Sequence, residues 1–207
     1  MTSRNIDGEI IAVDDGSKDR TGGILSELET TLPNVRVVTH PKNRGYGAAV
    51  VSGLDAATGE VIGYMDSDGQ FHPEDFDKLL PLLSSYSFVS GRRRKRADPF
   101  VRRMNAKLFA ILSFVILGIW VRDINGAMKL MKREIWPKIR PRVATGALVN
   151  AEMFYRMKIQ GIPWVQVFVE HYPRKFGAQT GANLSVILRM FKELMKLRME
   201  GKREKAL

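Results

Sequence analysis

An α/β fold with a mostly parallel sheet covered by helices on both faces is predicted by three features of the sequence. Short apolar runs alternate with segments of helical spacing along the chain, and that alternation requires crossover connections. Two of the runs end in acidic turns, at the position where a parallel sheet presents its ligand rim. The size and composition, 207 residues of which 44% are hydrophobic and 27% charged, suit one globular domain with a real core and exclude collagen, a coiled rod or wholesale disorder.

The elements follow in order. Ile10-Ile-Ala-Val13 is a continuous apolar run stopping at Asp14-Asp15-Gly16, as a buried strand ending in a turn would. Ser17 or Asp19 then caps a helix through about Leu32, ended by Pro33. Val35-Arg-Val-Val38 is a second strand, and Gly45 to Ala57 a helix of small residues that stops before Gly59. The third strand, Val61-Ile-Gly-Tyr-Met65, runs into Asp66-Ser-Asp-Gly69, after which Pro73, Glu74 and Asp75 open a helix containing Leu79, Leu80, Leu82 and Leu83. Tyr86 to Ser90 reads as a strand, Leu108 to Val121 as an apolar helix, and Gly126 to Met131 as a strand. A helix from about Asn150 to Gln160 and a strand from Trp164 to Val169 complete the sheet. From Leu184 to Met199 apolar residues recur at helical spacing with Arg189, Lys192 and Lys196 on the other side, and Gly201 to Leu207 reads as a frayed tail.

Charge is concentrated in two places. Lys and Arg number 33 against 22 Asp and Glu, a formal +11; residues 92 to 103 carry +6 of it and residues 184 to 207 carry +4. The natural partners therefore include something anionic: nucleic acid, phosphorylated small molecules or an acidic membrane face. Cysteine is absent, which excludes disulfides and thiolate metal sites and makes a reducing, cytosolic setting the expectation. His40, His72 and His171 have no ligand spacing and read as loop or surface residues. The opening residues carry no apolar signal segment, and the fourteen apolar residues Leu108 to Val121 fall short of the roughly 20 that a spanning helix needs.

The strongest chemical signal is the matching of Asp14-Asp15 after the first strand with Asp66-Ser-Asp68 after the third, which puts four carboxylates at one rim. Such a cluster is best explained by a cation, Mg²⁺ or Mn²⁺, shared with the phosphates of a nucleotide diphosphate. The competing reading makes these turn and cap residues. Other phosphate motifs are missing: no Gly-Lys-Ser or Gly-Lys-Thr occurs, Gly45-Tyr-Gly47 has no third glycine, and Phe71 stands where a calcium loop needs glycine.

These strings resemble the family 2 glycosyltransferases of the GT-A fold, most closely the dolichol-phosphate mannose synthase type. The resemblance is carried by Glu9-Ile-Ile-Ala-Val-Asp-Asp-Gly-Ser17, Asn43-Arg-Gly-Tyr-Gly-Ala-Ala49 and Met65-Asp-Ser-Asp-Gly-Gln-Phe-His-Pro-Glu-Asp75, with Ser90-Gly-Arg92, Asp123-Ile-Asn-Gly126 and His171-Tyr-Pro-Arg174 before Gly177. It implies an inverting, metal-dependent transfer of a hexose from a nucleotide sugar, of the GDP-mannose or UDP-glucose type, to a polyprenyl or dolichyl phosphate. By resemblance, Asp66, Asp68 and Gln70 hold the metal, Asp14, Asp15, Asp66 and Arg174 meet the nucleotide diphosphate, Arg92 with Arg102 or Arg103 holds the acceptor phosphate, and Asp123 is an acid near sugar and acceptor. An ionised phosphate attacks without a strong base, so Asp123 is read as orienting.

The resemblance also implies a further strand and helix upstream of Asp7, which these residues do not supply, so residues 1–183 are expected to be an N-terminally incomplete catalytic domain. The subgroup's acceptor-loop serine falls at Ala106 or Lys107. Residues 184–207 are expected to form a basic helix that, with the basic loop and the apolar helix, docks on the anionic cytosolic face of a membrane. The alternatives are a catalytically inactive membrane-associated relative, a transferase with a saccharide acceptor and, remotely, a nucleic-acid-binding module. The last is disfavoured because the basic run lacks interleaved aromatics and the carboxylates repel phosphates.

Overall fold

The computed structural model describes residues 7–94, 100–144, 146, 148–173 and 184–205, without the side chains of 101, 102, 184–190 and 202–205. Strand β1 (Ile10–Asp14) pairs in parallel with β2 (Val35–Thr39), Ile10 opposite Val35 and Asp14 opposite Thr39. Four more strands, β3 (Val61–Met65), β4 (Phe88–Arg93), β5 (Met128–Lys132) and β6 (Trp164–Val169), form a second sheet in the order β3-β5-β4-β6. Within it β3, β4 and β6 run one way and β5 runs against them. Among the described residues β1 and β3 each have one strand neighbour, so the sheet is divided between them.

Helix α1 (Thr21–Thr31) packs on β1 and β2, and α2 (Tyr46–Ala56) lies against β1, β2 and β3, bridging the division. The expected cap is displaced along the chain: Asp19 Oδ1 accepts the Thr21 N–H at 3.0 Å, but Arg20 is the cap residue and the helix begins at Thr21, one residue later than an Asp19 cap gives. The leucine-rich segment is a 3-10 turn (Pro73–Asp75), the single turn α3 (Phe76–Leu79) and a second 3-10 turn (Leu80–Ser84). Helix α4 (Phe100–Leu117) ends where Gly118 takes φ +66°, a conformation that lacks a Cβ penalty only in glycine. The short α5 (Trp136–Ile139), α6 (Val149–Ile159) and α7 (Leu184–Lys205) complete the chain.

Two expectations change here. The first strand is not deeply buried, because it has β2 on one side only; Ile10 is 48% exposed and only Asp14 of β1 is buried. The frayed tail is instead helix to Lys205, and Gly201 is buried because Tyr155 occupies the space that a Cβ would take. Leu194 and Leu197 anchor α7 in the core against α4 and α6.

The main core gathers Phe88, Met131, Phe154 and Leu54 around α6, which is buried from Val149 to Met157. The charged residues of α6 within it are paired, as burial requires. Glu152 accepts Arg156 Nε at 2.9 Å and the backbone N–H groups of Arg142, Val143 and Ala144.

Candidate active site

The two acidic turns flank the N-terminus of α2, each tied to it by one carboxylate, and do not gather the four carboxylates into one group. Asp15 accepts the backbone N–H groups of Arg44 and Gly45, each at 2.8 Å, just before that helix, while the Tyr46 hydroxyl on its first turn bonds the Asp66 carboxylate. Gly16 permits the close approach: it has φ +72°, and a Cβ there would lie 2.6 Å from the Lys42 carbonyl carbon. Asp14 Oδ1 accepts the Ser17 N–H at 2.9 Å, which is the turn role.

His40 departs from the surface placement that its isolation suggested. It is buried, with Nδ1 2.6 Å from Asp15 Oδ1 and Nε2 2.9 Å from Ser52 Oγ. A carboxylate only accepts, so Nδ1 carries the proton of that bond. Burial pushes the Asp15 carboxyl up, but the hydrogen bonds from His40, Arg44 and Gly45 outweigh it and hold the pKa below the ordinary value. A cavity of ≈ 530 Å³ opens beside these residues, bounded by Asp14, Ser17, Lys18, His40 and Lys42.

The turn after β3 is tied to the segment after β6. Asp68 Oδ1 accepts the Gln70 N–H at 3.0 Å, the buried Gln70 Nε2 donates to the Tyr172 carbonyl at 3.2 Å, and the Tyr172 N–H donates back to the Gln70 carbonyl at 3.0 Å. His171 meets Phe71 edge-on at 5.3 Å, and His72 packs on Tyr172 at 4.3 Å. Arg174 lies outside the described residues, two positions beyond this junction. Two carboxylates and a carboxamide on one five-residue turn are hard oxygen donors, a set that fits Mg²⁺ or Mn²⁺ completed by water and diphosphate oxygens. No group of three His, Cys, Asp or Glu side chains among the described residues makes a cation site on its own.

The other side of the site is built on the end of β4. Arg93, buried, grips Asp123 with Nε to Oδ2 at 2.8 Å and Nη2 to Oδ1 at 2.6 Å, and its backbone N–H adds a bond at 3.1 Å. Gln166 on β6 clamps the same turn, accepting the Arg122 N–H and donating to the Asp123 carbonyl, both at 3.1 Å. Arg92 points elsewhere, its guanidinium 4.7 Å from the centre of the Phe168 ring. With Lys107 and Arg122 it surrounds a cavity of ≈ 300 Å³ whose apolar wall includes Ala110, Ile111 and Trp120. Ala106 lines it too, so both positions proposed for the subgroup serine face this cavity. Arg103 is exposed on α4, and the side chain of Arg102 lies outside the described residues.

Several contributors were not singled out by sequence reasoning. Arg93 sits in a run of five basic residues and nothing in the run distinguishes it from Arg92. Lys129 is fully buried on β5, and burial lowers its pKa to about 7 although Asp123 and Asp66 pull it upward. Its signal was available: it is a lone lysine inside the apolar string Ala127-Met-Lys-Leu-Met131. Tyr46, Tyr64 and Asn150, which share hydrogen bonds beneath Asp66, left no such mark.

Comparison with known proteins gives the family and the fold. Residues 4–157 match the family described as Glycosyl transferase family 2. The chain is 26% identical to a UDP-N-acetylglucosamine–dolichyl-phosphate N-acetylglucosaminyltransferase from Methanococcus voltae, over 96% of this chain and 88% of the relative. It is 27% identical to a polyprenol monophosphomannose synthase from Mycolicibacterium smegmatis, over 88% and 74%. Among solved structures, glucosyl-3-phosphoglycerate synthase from Mycobacterium tuberculosis, in complex with Mn²⁺, UDP-glucose and phosphoglyceric acid, superposes with a TM-score of 0.61 at 23% identity. That match covers 96% of this chain and 71% of the other.

Proposed function

The chain belongs to glycosyl transferase family 2, and from that premise we propose that this glycosyltransferase moves a hexose from a nucleotide sugar to a polyprenyl phosphate at a membrane surface. The observation that carries the reading is the cavity between α4 and the Asp123 turn, lined by an apolar wall and by Arg92, Lys107 and Arg122 besides the paired Arg93. A phosphate on an apolar chain meets both of those demands. The relatives named for dolichyl-phosphate and polyprenol substrates support it.

In this reading an acceptor phosphate oxygen, positioned by Arg92 with Lys107, Arg122 and one of Arg102 or Arg103, attacks the anomeric carbon. The bond from that carbon to the diphosphate oxygen breaks on the opposite face, and the nucleoside diphosphate leaves with the electron pair. Asp66, Asp68 and Gln70 would hold Mg²⁺ or Mn²⁺, which supplies charge neutralisation for the departing diphosphate. Arg174 is assigned the same anion. Both oxygens of Asp123 receive Arg93, which suits an orienting role for this carboxylate. Asp14 and Asp15 shape the nucleotide side through the turns that they close.

No helix among the described residues is long and apolar enough to cross a membrane. The membrane contact is assigned to two exposed apolar strips flanked by lysines, Ile111, Phe114, Val115 and Trp120 next to Lys107, and Phe191, Met195 and Met199 next to Lys192 and Lys196. In this reading the protein docks on anionic lipid, at the cytosolic leaflet.

The test is transfer of labelled mannose from GDP-mannose, or glucose from UDP-glucose, with Mn²⁺ or Mg²⁺ and polyprenyl phosphate, into an organic-solvent extract. Wild type transfers label and Asp68→Asn does not, while Asp68→Asn keeps the wild-type melting temperature and loses Mn²⁺-dependent nucleotide binding. Undiminished Mn²⁺-dependent affinity in Asp68→Asn overturns the metal assignment, and label retained in the aqueous phase as a glycosylated water-soluble acceptor overturns the lipid one.

A further inference from the structure

We propose that Lys129, Tyr64 and Asn150 form a buried positioning layer that couples the donor-side turn at Asp66 to the acceptor-side turn Asp123–Gly126. The inference rests on the transfer reading above and adds residues which that reading does not use.

The geometry is continuous. Lys129 stands on β5, the strand between β3 and β4, opposite Tyr64 on one neighbour and Ser90 on the other. Its Nζ donates to the Gly126 carbonyl and lies 5.2 Å from the centre of the Tyr64 ring and 6.0 Å from that of Phe154. The Tyr64 hydroxyl donates to Asn150 Oδ1, and Asn150 Nδ2 donates to Asn125 Oδ1 at 3.2 Å. The Tyr46 hydroxyl joins that pair to Asp66. Side-chain hydrogen bonds therefore run from Asp66 through Tyr46 and Asn150 to Asn125, two residues from Asp123, with the Tyr64 hydroxyl holding Asn150 in place. The backbone adds a parallel link, since the Asp66 N–H donates to the Ala127 carbonyl at 3.3 Å.

Stability alone does not account for these residues. An ammonium in the middle of a sheet is costly unless charges and hydrogen bonds compensate it, and an apolar side chain would fill the volume at lower cost. The compensating charges are Asp66 and Asp123, one from each side of the reaction. Lys129 and Asn150 are buried and line neither cavity, so their effect passes through the two turns. A displacement of about 1 Å between reacting atoms lowers turnover by about 100-fold, which is the lever such a layer controls.

The experiment measures kcat and both KM values for wild type, Tyr64→Phe, Lys129→Met and the double variant. Active sites are counted by calorimetric Mn²⁺-dependent binding of GDP and UDP. Tyr64→Phe removes one oxygen and keeps the ring, so it carries the test if Lys129→Met fails to fold. The expected result is a kcat per active site lowered about 10-fold in Tyr64→Phe and further in Lys129→Met, with KM within about twofold, and a double variant less impaired than the product of the two. A role in folding only would lower the number of sites and leave kcat per site at the wild-type value, and that result overturns the inference. An additive double variant overturns the claim that the residues act as one layer. A wild type without transfer removes the reading beneath it, which an active wild type with unimpaired variants does not.

Discussion

The β1–β2 half and the β3–β6 half of the molecule both fix carboxylates at the same rim, and they do it by different physics. In the first half α1 buries none of its residues, Ile24, Leu28 and Leu32 stay exposed, and Asp15 is held by two backbone N–H groups and one imidazole. In the second half Phe88, Met128 and Phe154 are fully buried, and Asp123 is held by a bidentate guanidinium that is itself buried. Backbone donors suffice where water still solvates the carboxylate, because each hydrogen bond to a charged acceptor is worth about 1.5–3 kcal/mol. A carboxylate deep beside a packed core needs a full counter-charge as well, because unpaired burial costs several kcal/mol. The rim therefore combines a side built to be soft and a side built to be rigid.

The sharpest way to break this contrast is to remove the counter-charge. Arg93→Met leaves Asp123 buried without its partner and is expected to lower stability by about 3–5 kcal/mol, read from denaturant unfolding. Asp15→Asn removes one charged acceptor among several and is expected to cost about 1–3 kcal/mol. Equal losses in the two variants would show that both halves use the same means.

Much of this architecture was legible in the sequence because it depends on local pattern. The alternation of apolar runs and helical spacing placed β2, α2, β3 and β6 within a residue or two, and the two acidic turns marked the rim. What was not legible depends on neighbours distant in the chain. β1 reads as a buried strand from its four apolar residues, yet its burial depends on a strand neighbour on its second side. His40 reads as a lone surface histidine, and only the fold brings Asp15, 25 positions away, and Ser52, 12 positions away, to its two nitrogens. Arg92 and Arg93 are adjacent and chemically identical; strand alternation stacks one on Phe168 and pairs the other with Asp123, although both line the cavity. The resemblance singles out Arg92 and gives its buried neighbour no role.

Acid should affect the soft side in a way that its own variant can isolate. The Asp15 carboxyl has a folded-state pKa below the ordinary 3.8, after hydrogen bonds from His40, Arg44 and Gly45 overcome the upward push of burial. A depressed carboxylate contributes stability that is fully present above the unfolded value and is lost as pH falls through the folded one. The stability difference between wild type and Asp15→Asn is therefore expected to be constant above about pH 5 and to shrink below pH 3.8. Melting temperatures measured from pH 2 to pH 7 follow it; a difference that grows on acidification would mean that the carboxyl titrates upward on folding.

The smallest effect concerns the joint between the halves. Helix α2 touches β1 and β3, and its Asp55 accepts Arg140 Nε at 2.8 Å and the Trp136 indole N–H at 2.9 Å, fastening α2 to α5 on the rigid side. The ion pair is about two-fifths exposed on both partners, so solvent and salt screen it. Arg140→Ala is expected to cost about 0.2–1 kcal/mol, and less in high salt. Asp55→Ala should cost about 1–3 kcal/mol because it also leaves the buried Trp136 indole without its acceptor. The difference between the two variants, measured by denaturant unfolding in low and high salt, isolates the indole–carboxylate bond. If that difference survives salt, the joint between the soft and rigid halves is held by the indole hydrogen bond rather than by the ion pair at its surface.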